Sequence, residues 1–175
     1  MNKTPMRMVL AFCLWAVSLA ALAQTMLKPG LWEMTSTLTW QKTPLPPGVA
    51  LPPGFPNPFQ PVTRTTPVCM TQQAIDQFGA PFAYAQGHEN CTVTKILHQR
   101  SGLTGEMTCS GAINGHGTIT STWPTGVAAH GTAHFTGTMQ MGPNTVPVEY
   151  TVESTSTYQG ADCGGVAPLS LPATK

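Results

Sequence analysis

Residues 28–40 read KPGLWEMTSTLTW and alternate apolar with polar side chains, the period of two that a half-buried β-strand requires. Pro29-Gly30 predicts the turn from which this strand starts. The apolar face carries Trp32, Met34, Leu38 and Trp40. An aromatic face of this size must be covered, so we expect the rest of the chain to supply further strands.

The start of the chain has the layout of a secretory signal peptide. Lys3 and Arg7 precede an apolar run at 8–22, and Ala21-Leu22-Ala23 provides a cleavage site. The apolar run is shorter than the ~20 residues that cross a bilayer, which argues against a membrane anchor. We therefore predict a signal peptide at 1–23 and a mature protein that lies in the periplasm or is secreted, with no membrane span after cleavage.

Composition favours strands and turns over surface helices. Charged residues make up 9% of the chain, well below the ~25% of ordinary domains. Without the signal peptide, six basic and seven acidic residues remain, and a net charge of −1 offers no electrostatic footprint for nucleic acid. The length favours a single β domain at 24–163, with a proline-rich insertion at 43–61 and a loose C-terminal tail at 164–175.

The proline-rich insertion repeats Leu-Pro-Pro-Gly at 45–48 and 51–54. Proline has no N–H for a sheet ladder, so we predict an irregular or polyproline-like excursion on the surface, held to the body by Phe55 and Phe59. A peptide ligand for an aromatic groove is the functional alternative for this segment.

One short helix is predicted at 71–78. Thr71 is a suitable N-cap, Gly79 is a suitable C-terminal residue, and Ile75 and Phe78 are spaced to share one face. We expect no other helix in the mature chain.

The cysteines at 91 and 109 indicate the register of a hairpin between 91–98 and 102–113. In that register one face is apolar and two sulfur atoms are adjacent, whereas a slip of one residue would destroy both features. We therefore predict a Cys91–Cys109 disulfide. The cross-strand pairs on this face would be Cys91 with Cys109, Val93 with Met107 and Leu97 with Leu103.

The mature chain has four cysteines, which allow three pairings. With the first bridge assigned, Cys69 pairs with Cys163 and ties the segment before the helix to the end of the last strand. A redox or zinc site is the rival interpretation, but the chain contains no Cys-x-x-Cys and no clustered cysteine and histidine.

Three further turns continue the alternation. We predict loops at 114–116 and 124–126 and a turn at Pro143-Asn144. The resulting pairs would be Gly111 with Ile119, Met107 with Trp123, Trp123 with Val127, Met141 with Val146, Met139 with Val148, and Phe135 with Val152.

These hairpins give all odd-numbered positions from Leu103 to Met141 one common interior, which Tyr150 joins from the last strand. The fold predicted is all-β: an antiparallel up-and-down meander curled into a barrel or half-barrel, with one short helix near 71–78. The inward positions after Met107 are Ile119, Trp123, Val127, Ala129, Ala133, Phe135, Met139 and Met141.

Five short motifs follow one another along the chain. They are KPGLWE at its opening strand, then Val68-Cys69-Met70-Thr71, Asn90-Cys91, Thr108-Cys109-Ser110 and Gly160-Ala161-Asp162-Cys163. The chain resembles a family of small exported proteobacterial proteins, defined only as a domain of unknown function, whose mature domain opens with a KPGLWE strand. The resemblance runs from 28 to about 168 and departs from the family at 43–61. It implies export and a disulfide-bearing β domain, and it brings no catalytic residues.

Candidate catalytic and metal-binding residues are sparse. His130 and His134 fall on the polar face of one strand, about 13 Å apart, too far to bind one ion, and His116 could approach only if its loop closed differently. No nucleophile elbow, phosphate loop or dinucleotide fingerprint is present. We expect no metal, no cofactor and a non-enzymatic role. The carboxylates on the polar faces are Glu33, Glu106, Glu149 and Glu153.

The apolar face is the remaining candidate site, because methionine and aromatic side chains form an adaptable lining for an apolar guest. The same side chains could instead simply fill the interior of a small barrel. We predict a binding or accessory protein for a lipid-like or other hydrophobic ligand. A structural or envelope-protein interaction module with a filled core, and an enzyme without a recognisable motif, are the alternatives. The candidate ligand-binding residues are Trp32, Met34, Trp40, Met107, Trp123, Phe135, Met139 and Tyr150.

Overall fold

The computed structural model of the chain describes residues 26–45, 48–54, 56–81 and 91–169. The predicted signal peptide and Phe55 lie outside these ranges. Across them the chain forms seven strands and one helix. In order they are β1 (Gly30–Lys42), β2 (Val62–Met70), α1 (Gln72–Phe78), β3 (Cys91–Gln99), β4 (Gly102–Cys109), β5 (Ile113–Thr125), β6 (Ala128–Met141) and β7 (Asn144–Gly160).

The seven strands form one antiparallel sheet in the order β2-β1-β7-β6-β5-β4-β3. The sheet curls without closing, so the predicted all-β half-barrel with a short helix is confirmed. β1 lies between β2 and β7, and this places the first strand against the last. β2 was not predicted, because its sequence VTRTTPVCM contains a proline and lacks strict alternation. Pro67 is tolerated because β2 is an edge strand, where a missing N–H breaks no ladder on its free side.

The predicted parity of inward and outward side chains is confirmed along most of β4, β5 and β6. Odd-numbered apolar residues face the interior, while the neighbouring threonines at 118, 120, 122, 132 and 136 are exposed. Val127 and Met141 are exceptions, because Val127 lies in a turn and Met141 ends a strand. The buried odd positions with apolar side chains are Leu103, Met107, Cys109, Ile119, Trp123, Ala129, Ala133 and Phe135.

The predicted turn at 114–116 is wrong, because the chain reverses at 110–112. Met107 therefore pairs with Gly117 rather than Trp123, and Ile119 pairs with Gly105 rather than Gly111. Gly111 adopts φ +118°, and the Asn114 side chain bonds both its N–H and its carbonyl. The asparagine thus holds the turn that precedes it instead of forming the next one.

The two later turns also differ from the prediction. The β5–β6 turn is Gly126-Val127, so Trp123 does not face Val127. The β6–β7 turn is Gly142-Pro143, with Gly142 at φ +59°. The correct pairs are Met139 with Val146, Phe135 with Tyr150, Ala133 with Val152, and Met141 with Asn144. The main registers of β4–β5, β5–β6 and β6–β7 differ from the predicted ones by an even number of residues, so each side chain stays on its predicted face.

The β3–β4 hairpin follows the predicted register from Cys91 to Thr94 and then departs from it. A bulge at Lys95, with φ +51°, turns Ile96 towards the core. Leu97 pairs with Thr104 and is 66% exposed, so the predicted Leu97–Leu103 contact is wrong. β3 is an edge strand, and a bulge there disrupts the exposed ladder that other chains could otherwise join.

Helix α1 is capped as its sequence predicts. The Thr71 hydroxyl accepts a hydrogen bond from Ala74 N at 3.1 Å, and Gly79, with φ +68°, donates its N–H to Ile75 O at 2.7 Å. A Cβ at Gly79 would collide with the ring of Trp123. The helix therefore ends flat against the inner face of the sheet.

Both predicted disulfides, Cys69–Cys163 and Cys91–Cys109, are confirmed. The segment after Cys163, predicted to be a loose tail, runs beside β2 as far as Leu169, whose N–H donates to Cys69 O at 2.9 Å. In the proline-rich insertion, Phe59 packs edge-on against Trp40, with ring centroids 6.2 Å apart.

Replacing each disulfide by two alanines should destabilise the protein to different degrees. The bridges close loops of 94 and 18 residues, for which chain entropy gives losses of about 4.7 and about 3 kcal/mol in unfolding free energy. Urea unfolding of C69A/C163A and C91A/C109A measures both. A loss for the Cys91–Cys109 pair that equals or exceeds the other would contradict this expectation.

Candidate apolar binding face

The concave face of the sheet has two halves with different surroundings. The covered half comprises Trp32, Met34 and Trp123 of the sheet and the residues that pack on them. These include Ala74 and Phe78 of α1 and Leu27 before β1. The open half comprises residues that come from the strands alone. They are Met107, Cys109, Phe135, Val148 and Tyr150, with the half-buried Leu38, Trp40, Cys91, Ile113, Met139 and Val152 around them.

The covered half is a filled core. Trp32 is 0% exposed, donates its indole N–H to Lys28 O at 2.9 Å, and meets the Tyr158 ring edge-on at 5.6 Å. Leu169 and the helix pack onto the same cluster. Of the predicted ligand-binding residues, Trp32, Met34 and Trp123 therefore serve as packing.

The open half holds the other five predicted residues, Trp40, Met107, Phe135, Met139 and Tyr150. Phe135 and Met107 form its buried floor, while Trp40 and Met139 are half-buried at its sides. No described residue of α1 or of the segments before β1 and after β7 belongs to this cluster. The candidate ligand-binding residues did not include Ile113, Val148 and Val152, although the predicted alternation places all three on the inner face.

Four aromatic rings run from this floor to the proline-rich insertion. Phe135 stacks on Tyr150 with centroids 5.1 Å apart and an interplanar angle of 22°. Tyr150 meets Trp40 edge-on at 5.4 Å, and Trp40 meets Phe59 in the same way at 6.2 Å. The arrangement forms a continuous aromatic lining along one side of the open half.

Glycines make the floor flat enough for these rings. Gly117 lies directly opposite Phe135 on β5, and Gly115 lies opposite Gly137. A Cβ at Gly115 would lie 2.8 Å from Phe135 Cζ, and one at Gly137 would lie 2.9 Å from Phe135 Cε1. The ring of Phe135 thus occupies the space that side chains would otherwise fill, and it is 0% exposed.

Polar groups in the interior are few and uncharged. Ser121, Ser154 and Ser156 are the buried polar residues of the described ranges. Burial raises the pKa of the Tyr150 phenol above its ordinary value, because the phenolate would be desolvated. The interior therefore offers hydroxyl groups and aromatic surface, without a charged catalytic group.

His116, His130 and His134 lie on the outer face of the sheet, whereas His98 and Asp76 lie beside Trp123 at the edge of the covered half. His134 Nε2 contacts Glu149 Oε1 at 3.1 Å, with both side chains substantially exposed. No group of three potential metal ligands occurs among the described residues. A shallow groove of about 290 Å³ contains His130 and Glu153 between threonines, and it shares no residue with the open half.

Substitution of Gly137 by alanine should destabilise the protein by about 1 to 3 kcal/mol, because the new methyl group collides with Phe135 and with the backbone of Asn114. Gly160→Ala is the matched control: it is also a strand glycine, and its Cβ would meet no atom within 4 Å. Urea unfolding compares the two variants. Equal stability of G137A and G160A would show that the aromatic floor does not require the glycine.

The residues that match a family model span all the strands and the helix described above. The model of a family described as Protein of unknown function (DUF3617) matches residues 27–163. That range begins just before β1 and ends at Cys163, and it contains the whole sheet, the helix and both disulfides. No curated protein matches the chain, nor does any solved structure. The chain belongs to the DUF3617 family of proteins of unknown function.

Proposed function

We propose that this protein is an exported, non-enzymatic binding protein that holds an apolar guest on the open half of its concave face. The observation that carries the proposal is a fully buried aromatic floor bordered by half-buried apolar side chains. The side chains at this border, Leu38, Trp40 and Met139 among them, keep apolar surface exposed to solvent, whereas the covered half packs its side chains beneath α1.

The energetics favour an apolar partner. Each ~100 Å² of apolar surface removed from water contributes about 2.5 kcal/mol, before the entropy cost of association. Met107 and Met139 are unbranched and polarisable, so they adapt to guests of different shapes. The rings of Trp40 and Phe59 supply a rigid wall against which a chain or ring can lie.

The disulfides are the observation that supports export. The chain holds two disulfides, which form and persist in oxidising compartments such as the periplasm. Within the described ranges no helix has the length and apolar character to cross a membrane.

A charge placed in the open half should weaken guest binding. Leu38→Lys buries an ammonium group against the guest, and we expect at least a tenfold loss of affinity for the uncharged dye N-phenyl-1-naphthylamine. Thr39→Lys, one residue along β1 on the outer face, is the matched control and should bind like the wild type. Fluorescence titration measures the affinity, and circular dichroism confirms that each variant is folded.

Met139→Lys, on β6, and its exposed neighbour Gln140→Lys repeat the comparison at a second place. Absence of saturable dye uptake by the wild type, with native mass spectrometry of protein from its own cells finding only the bare polypeptide, would overturn the proposal. Equal affinity of L38K, M139K and both controls would place the guest elsewhere.

A further inference from the structure

The hydroxyl group of Tyr150 is a polar group on a buried side chain of the open half, whereas the indole N–H of Trp40 belongs to a half-buried side chain at its edge. Tyr150 lies between Trp40 on β1 and Phe135 on β6, directly opposite both, and is 7% exposed. Its ring contacts the rings of these two neighbours. No hydrogen bond joins its hydroxyl to another described residue.

On the covered side of the interior, the buried polar groups have hydrogen-bond partners. The buried serine hydroxyls at 121, 154 and 156 donate to His130 O, Gly131 O and Pro81 O at 3.2 to 3.3 Å. The Trp32 indole donates to Lys28 O. These donors are satisfied by the backbone, as buried polar groups in folded proteins generally are. The Tyr150 hydroxyl is therefore a buried donor that a phenylalanine at this position would have avoided.

We infer that the guest carries one uncharged hydrogen-bond acceptor, a carbonyl of the ketone, ester or amide class, and that the Tyr150 hydroxyl donates to it. The inference rests on the proposed function and specifies the chemistry of its ligand. The side chains that form the open half are apolar and aromatic, so a neutral acceptor fits better there than a carboxylate or an ammonium group. The raised pKa of the phenol keeps it a protonated donor.

Two probes of nearly the same shape test the inference, propiophenone and propylbenzene, which differ by a carbonyl in place of a methylene. Displacement of bound N-phenyl-1-naphthylamine gives their affinities for the wild type and for Tyr150→Phe, which keeps the ring and removes the hydroxyl. We expect Y150F to weaken propiophenone binding about fivefold and to change propylbenzene binding less than twofold. The ratio of the two changes cancels any general effect of the substitution.

Tyr158→Phe is the matched control, because Tyr158 lies on the same strand but packs against Trp32 in the covered half. It should leave both affinities unchanged. Infrared spectroscopy adds a direct readout: the carbonyl stretch of bound propiophenone should lie at lower frequency in the wild type than in Y150F.

The outcomes separate the two proposals. Equal changes for both probes in Y150F, or an unshifted carbonyl band, would overturn the inference and leave an apolar binding face intact. Failure of the wild type to take up the dye would overturn the proposed function and this inference with it.

Discussion

Pairing of β1 with β7 is the constraint on which the rest of the structure depends. It places the first strand of the sheet beside the last, and it sets Trp32 opposite Tyr158 and Trp40 opposite Tyr150. Contacts between strands so distant in sequence require closure of a long loop, which is entropically unfavourable. The Cys69–Cys163 bridge offsets part of that penalty, because it joins β2 on one side of β1 to the end of β7 on the other.

The same pairing produces two halves of one concave face. Near the start of β1, the helix, Leu27 and Leu169 pack against the cluster that contains Trp32 and Met34. This part of the face is an ordinary core. Farther along β1, Leu38 and Trp40 meet Val152 and Tyr150, and Phe59 of the proline-rich insertion packs on Trp40. The part packed by the helix and the part bordered by half-buried apolar side chains are thus adjacent areas of a single sheet surface.

Glycine and aromatic residues act together in the open half. Gly115, Gly117 and Gly137 would be weak strand residues by themselves, because they contribute no side chain to packing. Phe135 covers Gly115 and Gly137, the Met107 methyl group lies over Gly117, and Tyr150 stacks on Phe135, so these side chains occupy the space that the glycines leave. The outer face of β5, β6 and β7 carries exposed threonines, His116, His130 and His134, and the Glu149 that contacts His134.

Alternation by itself determined which side chains face inward, the Cys91–Cys109 pair and the all-β class, because these follow from a local period of two. The caps of the helix, Thr71 and Gly79, were equally local. Alternation does not distinguish registers that differ by two residues, so the turns at 110–112 and at Gly142-Pro143 were decided by Asn114 and by glycine φ angles. Only the tertiary structure decided that β2 joins the sheet, that Lys95 bulges, and that Trp123 is covered while Trp40 is half-exposed. Those features depend on which distant segments pack together, and burial of that kind is not encoded in the spacing of neighbouring residues.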